Sequence, residues 1–260
     1  MRKQFIFFFF LFIVFTKQTM SQVKLLATKI KKYQIDQLGN VFYIDVKNNI
    51  VKIDAISAKA INYAALSNGE AEIIDVSNPF SVLVYYPNFF KAKILDVNLS
   101  EIADYDLRSN YPNSFFSLVC TAPVNGFWAY DEFTRKLFKL DGNFQSKQQS
   151  QDIYLYTKKI IKPNYLCASK EEVFLNDPKV GILVFDFFGS YKKTIPILGL
   201  KRFSIVNEKL QFANAGNILD YQAMKIDTVF KNQNTSDQLS FSANKIYWMQ
   251  SDSLFAKPIK

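Results

Sequence analysis

Residues 41–54 read Val41-Phe-Tyr-Ile-Asp45-Val-Lys-Asn-Asn-Ile50-Val-Lys-Ile-Asp54: an apolar run, a polar turn through Lys47, Asn48 and Asn49, and a second apolar run ending in Asp. Short β-branched and aromatic runs joined by Asn and Asp are the mark of a β-hairpin. The same phrase returns at 81–85 with 92–96, 126–130 with 136–141, 172–175 with 181–186, 209–213 with 217–221, and 245–249 with 253–256. Its end markers Asp54, Asp96, Asp141, Asp186, Asp220 and Ala256 lie 34 to 45 residues apart. That period fits one four-stranded propeller blade per repeat. A lone hairpin cannot bury its two faces, whereas radially stacked sheets bury both, and Phe42, Trp128, Phe174, Phe212 and Trp248 suit the wedges between them. The pattern therefore predicts an all-β chain folded as a six-bladed β-propeller, with a β-sandwich as the alternative. The last repeat supplies only three strands, near 238–241, 245–249 and 253–259. The extended segment 23–30 is expected to add the fourth, an N-terminal strand closing the last blade and covering its open edge.

Outward from the repeats, Arg2 and Lys3 precede an apolar run from Phe5 to Phe15, followed by the small residues Thr19 and Ser21. This is the layout of a secretory signal peptide, and the run is too short for the roughly 20 residues that a membrane-spanning helix needs. The expected domains are a signal peptide over 1–21 and a single propeller domain over 22–260, with no lipid anchor and no transmembrane segment after signal removal. Loss of Arg2, Lys3 and Lys17 lowers the formal charge from +9 to +6. The remaining lysines are dispersed, Lys29, Lys31 and Lys32 forming the longest cluster, so no nucleic-acid groove is expected.

The chain has no His. A Ser-His-Asp triad, a Cys-His dyad and all His-ligated metal sites are excluded at once. Cys120 and Cys167 lie in apolar runs and read as buried unpaired thiols rather than a bridge, since two core strands need not bring their Cα atoms within about 7 Å. The repeated Asp residues could ring a channel and hold Ca²⁺, but the place of Asp54, Asp96, Asp141 and Asp186 after the third strand of their blades favours turn closure by their own side chains. Ser77 beside Asp75 has no visible base, and Asn78-Pro79 reads as a turn before a strand. Gly181 and Gly189 belong to no phosphate loop. No catalytic, cofactor-binding or metal-ligating residue is assigned, no cofactor is expected, and the chain reads as a protein that is not an enzyme. The candidate contact residues are two aromatic clusters that straddle turns: Tyr85, Tyr86, Phe89 and Phe90, and Phe187, Phe188 and Tyr191. So many rings beside turns suit either blade packing or a surface for a protein or glycan.

The phrases Leu38-Gly-Asn-Val-Phe-Tyr-Ile-Asp45, Asp75-Val-Ser-Asn-Pro-Phe80 and Asp177-Pro-Lys-Val-Gly-Ile-Leu-Val-Phe-Asp186 resemble a family of small exported propeller proteins of Bacteroidota. Within that group, length, signal peptide and absence of a lipid anchor are similar to the Plug subunits of the type 9 secretion system. The resemblance implies a periplasmic location peripheral to the outer membrane, and a partner that is an outer-membrane protein or the secretion translocon, whose periplasmic mouth the disc would close. Asp227-Thr-Val229 and Asp252-Ser-Leu254 also resemble the Asp-Ser/Thr-apolar site of Bacteroidota O-glycosylation. Two other classes remain open on the residues themselves: a glycan-binding propeller, and a Ca²⁺-dependent hydrolase or lactonase.

Overall fold

The computed structural model describes residues 23–26, 29–64, 69–206, 209–214, 217–222, 225–231, 239–242, 245–250 and 253–258. The stretch read as a signal peptide lies outside them. Strand β1 spans Val23–Leu26. The next twelve strands are β2 (Ile30–Ile35), β3 (Val41–Asp45), β4 (Asn49–Ile53) and β5 (Ala60–Ala64); β6 (Ile73–Asp75), β7 (Ser81–Tyr86), β8 (Lys91–Asp96) and β9 (Glu101–Asp106); and β10 (Phe116–Thr121), β11 (Phe127–Asp131), β12 (Lys136–Leu140) and β13 (Ser146–Gln149). After a single helical turn α1 (Tyr154–Thr157) come β14 (Tyr165–Ala168), β15 (Glu172–Asp177), β16 (Gly181–Asp186) and β17 (Tyr191–Ile195). The remaining strands are β18 (Ser204–Val206), β19 (Lys209–Asn214), β20 (Asn217–Gln222), β21 (Lys225–Lys231), β22 (Leu239–Ser242), β23 (Lys245–Gln250) and β24 (Ser253–Pro258).

Among the described residues these strands form six four-stranded sheets, five of them consecutive runs from β2–β5 to β18–β21. The sixth has the order β1-β24-β23-β22, with Val23 opposite Ala256 in an antiparallel pair. The closing strand is thus present but shorter than expected, because Ile30 already opens β2, the first strand of the next sheet. The hairpins of the repeat are the second and third strands of each sheet, where both faces are covered and the sequence is nearly all apolar. In the outermost strands polar residues return, as in Ser146–Gln149.

Side chains alternate between the two neighbours of each sheet, as the period of two requires. On β7, Val82, Val84 and Tyr86 pack with Phe42 and Ile44 of the preceding sheet, while Leu83 and Tyr85 pack with Phe127 and Ala129 of the next. Trp128 and Tyr130 meet Leu183 and Phe185, and Phe174 and Ile182 meet Leu210 and Phe212. Ile218 meets Ile246 and Trp248, and Tyr247, Leu254 and Ala256 return to Tyr33 and Tyr43 of the first sheet. Each sheet therefore shares one apolar wedge with each neighbour, and the ring closes. The fold is a β-propeller.

Candidate functional site

Because the first strand of each sheet is the innermost and successive strands alternate in direction, the loops sort onto two faces. The connection into each inner strand and the turn between second and third strands lie on one face, called the front here. The other two turns of each sheet lie on the back. Two cross-ring contacts agree: on the front, Ala71 N–H donates to Asn48 Oδ1 at 2.9 Å, and on the back, Lys52 Nζ donates to the Val97 carbonyl at 2.7 Å.

This sorting separates the aromatic clusters. The turn carrying Phe89 is on the front and the turn carrying Phe187 and Phe188 is on the back. Tyr85, Tyr86 and Phe90 are buried, so their assignment as partner contacts is corrected. They belong to or follow β7, which is flanked by strands on both edges and by sheets on both faces. The Tyr85 hydroxyl donates to the Phe116 carbonyl at 2.7 Å, and the Phe90 ring lies 5.5 Å from that of Phe116. Tyr191 is half-buried and stacked on Tyr156 at 4.4 Å. Phe187 is half-buried, its ring 4.7 Å from Lys139 Nζ, which also lies over Trp128 at 5.2 Å. Of the seven candidates, Phe89 and Phe188 present exposed rings.

Asp45 and the markers Asp54, Asp96, Asp141 and Asp186 close turns, whereas the marker Asp220 lies within β20, opposite Asp227. Asp45 Oδ1 accepts from Lys47 and Asn49 N–H, Asp96 Oδ1 from Asn98 and Ser100, Asp141 Oδ1 from Asn143 and Gln145, and Asp186 Oδ1 from Phe188 and Ser190. Asp54 does the same with Ile56 and Ser57. Asp75 Oδ1 accepts from Ser77 N–H at 2.8 Å, as a turn residue should, and its Oδ2 accepts from Thr121 N–H at 2.7 Å, tying two inner strands together. Among the described residues no group of three or more His, Cys, Asp and Glu is placed to hold a metal ion. Cys120 and Cys167 are both free thiols. Cys120 packs into the wedge between the third and fourth sheets and Cys167 against the next wedge, so the two thiols face different wedges on opposite sides of the fourth sheet. Burial pushes both thiols upward in pKa, with Asp75 adding to it. Of the two proposed glycosylation tripeptides, Ser253 is buried in β24, and the side chains of Asp227 and Thr228 lie outside the description.

Two features stand out once those residues are placed. The first is an axial cavity of about 970 Å³, lined by the inner strands β2, β6, β10, β14 and β18. Its cations lie toward the front: Lys32, Lys201 and Arg202. Lys32 Nζ donates to the Glu72 carbonyl at 2.5 Å, and Arg202 Nη1 donates to the Tyr33 carbonyl at 2.9 Å. Desolvation draws the Lys32 pKa down; Glu72 opposes this and Arg202 adds to it.

The second is a platform on the front, built from the loop after α1, the turn between β15 and β16, and the connection from β17 to β18. Lys162 N–H donates to Asp177 Oδ2 at 2.6 Å, Gly199 N–H to the Pro178 carbonyl at 2.8 Å, and Asn164 and Asn176 side chains to the Leu200 carbonyl at 3.1 and 2.8 Å. These bonds place Lys158, Lys159, Lys162 and Lys179 on one exposed surface with Ile160 and Leu198, which are 76% and 60% exposed. None of the four lysines forms an ion pair among the described residues. Read linearly, Lys158, Lys159 and Lys162 fall within five residues and Lys179 stands apart, and what joins them is positional: each lies in a segment that the repeat sends to the front.

No protein-family model matches the chain, and no curated protein matches it by sequence. Solved structures do resemble it. A virginiamycin B lyase from Staphylococcus aureus superposes with a TM-score of 0.61 at 15% identity, covering 93% of this chain and 88% of that one. A gluconolactonase from Xanthomonas campestris gives 0.65 at 11% identity over 92% and 89%. The β-propeller domain of Cps50 (Swd1) from Myceliophteria thermophila gives 0.60 at 9% identity over 92% and 87%. The expectation that the chain is not an enzyme is corrected by this finding: a lyase and a lactonase share its architecture, so neither fold nor composition sets catalysis aside. At these identities the likeness shows the fold alone, a β-propeller of similar size.

Proposed function

We propose that the chain is an exported protein-binding propeller that docks on an acidic partner through its front face. We further propose that this partner is the outer-membrane translocon of type 9 secretion, whose periplasmic mouth the disc closes. The observation that carries the docking reading is the hydrogen-bonded platform of Lys158, Lys159, Lys162 and Lys179 around Ile160 and Leu198. Unpaired cations keep their full field for an incoming acidic surface, and apolar side chains among them supply contact area once water leaves. The translocon reading is supported by the signal-peptide layout and by the family resemblance of the three phrases quoted above. Phe89, exposed on the same face, is a proposed further contact.

The test is co-purification from native outer membranes with the tagged full chain and a Lys158→Glu/Lys162→Glu/Lys179→Glu variant. The variant should fold with an unchanged melting temperature and retain about a tenth or less of the captured translocon. Phe188→Ser, on the back, should capture as well as the parent. Equal capture by the triple variant overturns docking through the front face, and recovery of the parent as a lone monomer overturns the translocon as partner.

A further inference from the structure

We propose that the axial cavity binds a small carboxylate-bearing, hydroxyl-rich molecule, of the class of sugar acids, with Arg202 as the carboxylate fork. The inference concerns the interior of the ring and stands independently of docking by the platform.

Arg202 is held at the front end of the cavity by two contacts from different sheets. Its Nη1 donates to the Tyr33 carbonyl at 2.9 Å, and its Cζ lies 5.3 Å from the centre of the Tyr165 ring. It forms no ion pair among the described residues, and a guanidinium carries five donors in a fixed plane. Donors remain for a planar, bidentate partner, which a carboxylate matches. Lys32 lines the same cavity and is near enough for Arg202 to oppose its charge, yet its ammonium is given a backbone carbonyl. Two like charges drawn into one cavity are relieved by an anion between them.

The acidic residues of the wall offset the charge of Lys32, through Glu72, but none of them pairs with Arg202 among the described residues. Asp36 is occupied by its own turn, accepting from Leu38 and Asn40 N–H, and Asp75 by Ser77 and Thr121. Both lie at the back ends of their strands. Glu72 is the lining carboxylate at the front, and its Oε1 accepts from the Asn88 side chain at 3.2 Å. The axis is therefore polar, basic at the front and acidic at the back.

The rest of the wall speaks for hydroxyl groups on the ligand. Gln34, Ser117 and Ser204 line the cavity with neutral donors and acceptors, and the buried Ser117 hydroxyl has no hydrogen-bond partner among the described residues. An unsatisfied buried hydroxyl is costly unless something else bonds it. A volume of about 970 Å³ accommodates one or two sugar rings.

The experiment is calorimetric titration of the full mature chain with glucuronate, alongside glucose, inorganic phosphate and hexaglutamate peptide. Glucuronate should bind saturably, with glucose much weaker. Arg202→Met and Arg202→Lys should each weaken binding about tenfold or more, the second because an ammonium lacks the fork. Ser117→Ala should weaken it by a smaller factor, and the platform triple variant should bind as the parent does. No saturable glucuronate heat up to about 10 mM overturns the proposal, as does equal binding by Arg202→Met or binding of phosphate or hexaglutamate alone. If Arg202→Met does not fold, the Arg202 Nε–H resonance of the parent is followed instead. It must shift on adding glucuronate, and a stationary signal overturns the assignment.

Discussion

Lys93 shows how one side chain can be buried and still belong. On β8, with 5% of its side chain exposed, it meets Glu101 Oε2 and Asp104 Oδ2, each at 2.8 Å. The Tyr63 hydroxyl donates to the same Glu101 oxygen at 2.6 Å. Desolvation works to lower the Lys93 pKa, but the two carboxylates outweigh it and the net direction is up. Glu101 moves down, mainly through the Lys93 bond and then that of Tyr63. A depressed carboxylate contributes stability above its unfolded pKa and loses it as pH falls through the folded value; a raised lysine contributes below its unfolded pKa and loses it as pH rises through the folded one. Lys93→Met should accordingly cost about 1–3 kcal/mol near pH 7, less than for a fully buried pair because both carboxylates keep access to water. Urea melts at pH 7 and pH 3 check this: the gap between parent and variant should narrow on the acid side. An equal gap at both would assign the effect to packing. None of this was legible in the sequence, where Lys93, Glu101 and Asp104 are three charges on two neighbouring strands with nothing to say that their faces coincide.

At the scale of the element, the turns were the most readable part. An Asp after an apolar run implied closure through its own side chain, and Asp45, Asp96, Asp141 and Asp186 each accept from the N–H groups two and four residues on. The third residue after the Asp is where the reading fell short. It takes positive φ in each of these turns: Asn48, Leu99, Phe144 and Gly189. Gly189 and Asn48 suit that conformation, whereas Leu99 and Phe144 do not. The wedges explain them, since both side chains are buried there, and Phe144 stacks on Phe127 at 4.0 Å. Packing outweighs the backbone cost, and no local propensity reveals it. Asp96→Ala, which strips the acceptor for Asn98 and Ser100, should cost about 1–2 kcal/mol, while Asp96→Asn should cost less than half of that. Chemical denaturation of the two variants decides, and equal costs would mean that the carboxylate does more than accept these bonds.

For the whole molecule, the hairpin repeat revealed the sheets because the second and third strands are buried on both faces. The inner and outer strands were poorly legible, since their exposed sides carry polar residues such as those of Ser146–Gln149. The cavity and platform were invisible for a related reason: they gather residues from several sheets whose proximity exists only once the ring has closed. That closure rests on β1 against β24. Removing residues 23–26 should leave a chain with an open edge on its sixth sheet, melting about 5 °C or more below the parent and self-associating as concentration rises. Scanning calorimetry and size-exclusion chromatography at two concentrations check it; an unchanged melting temperature with a monomeric profile would show that the ring needs no such latch. The same pairing fixes the timing of folding. Val23 is made 233 residues before its partner Ala256, so the pairing of greatest sequence separation among the described strands is the one that completes the ring. Until it forms, the chain is an arc with two sticky ends, and the interval before closure is when chaperones, proteases and other copies of the chain compete for it.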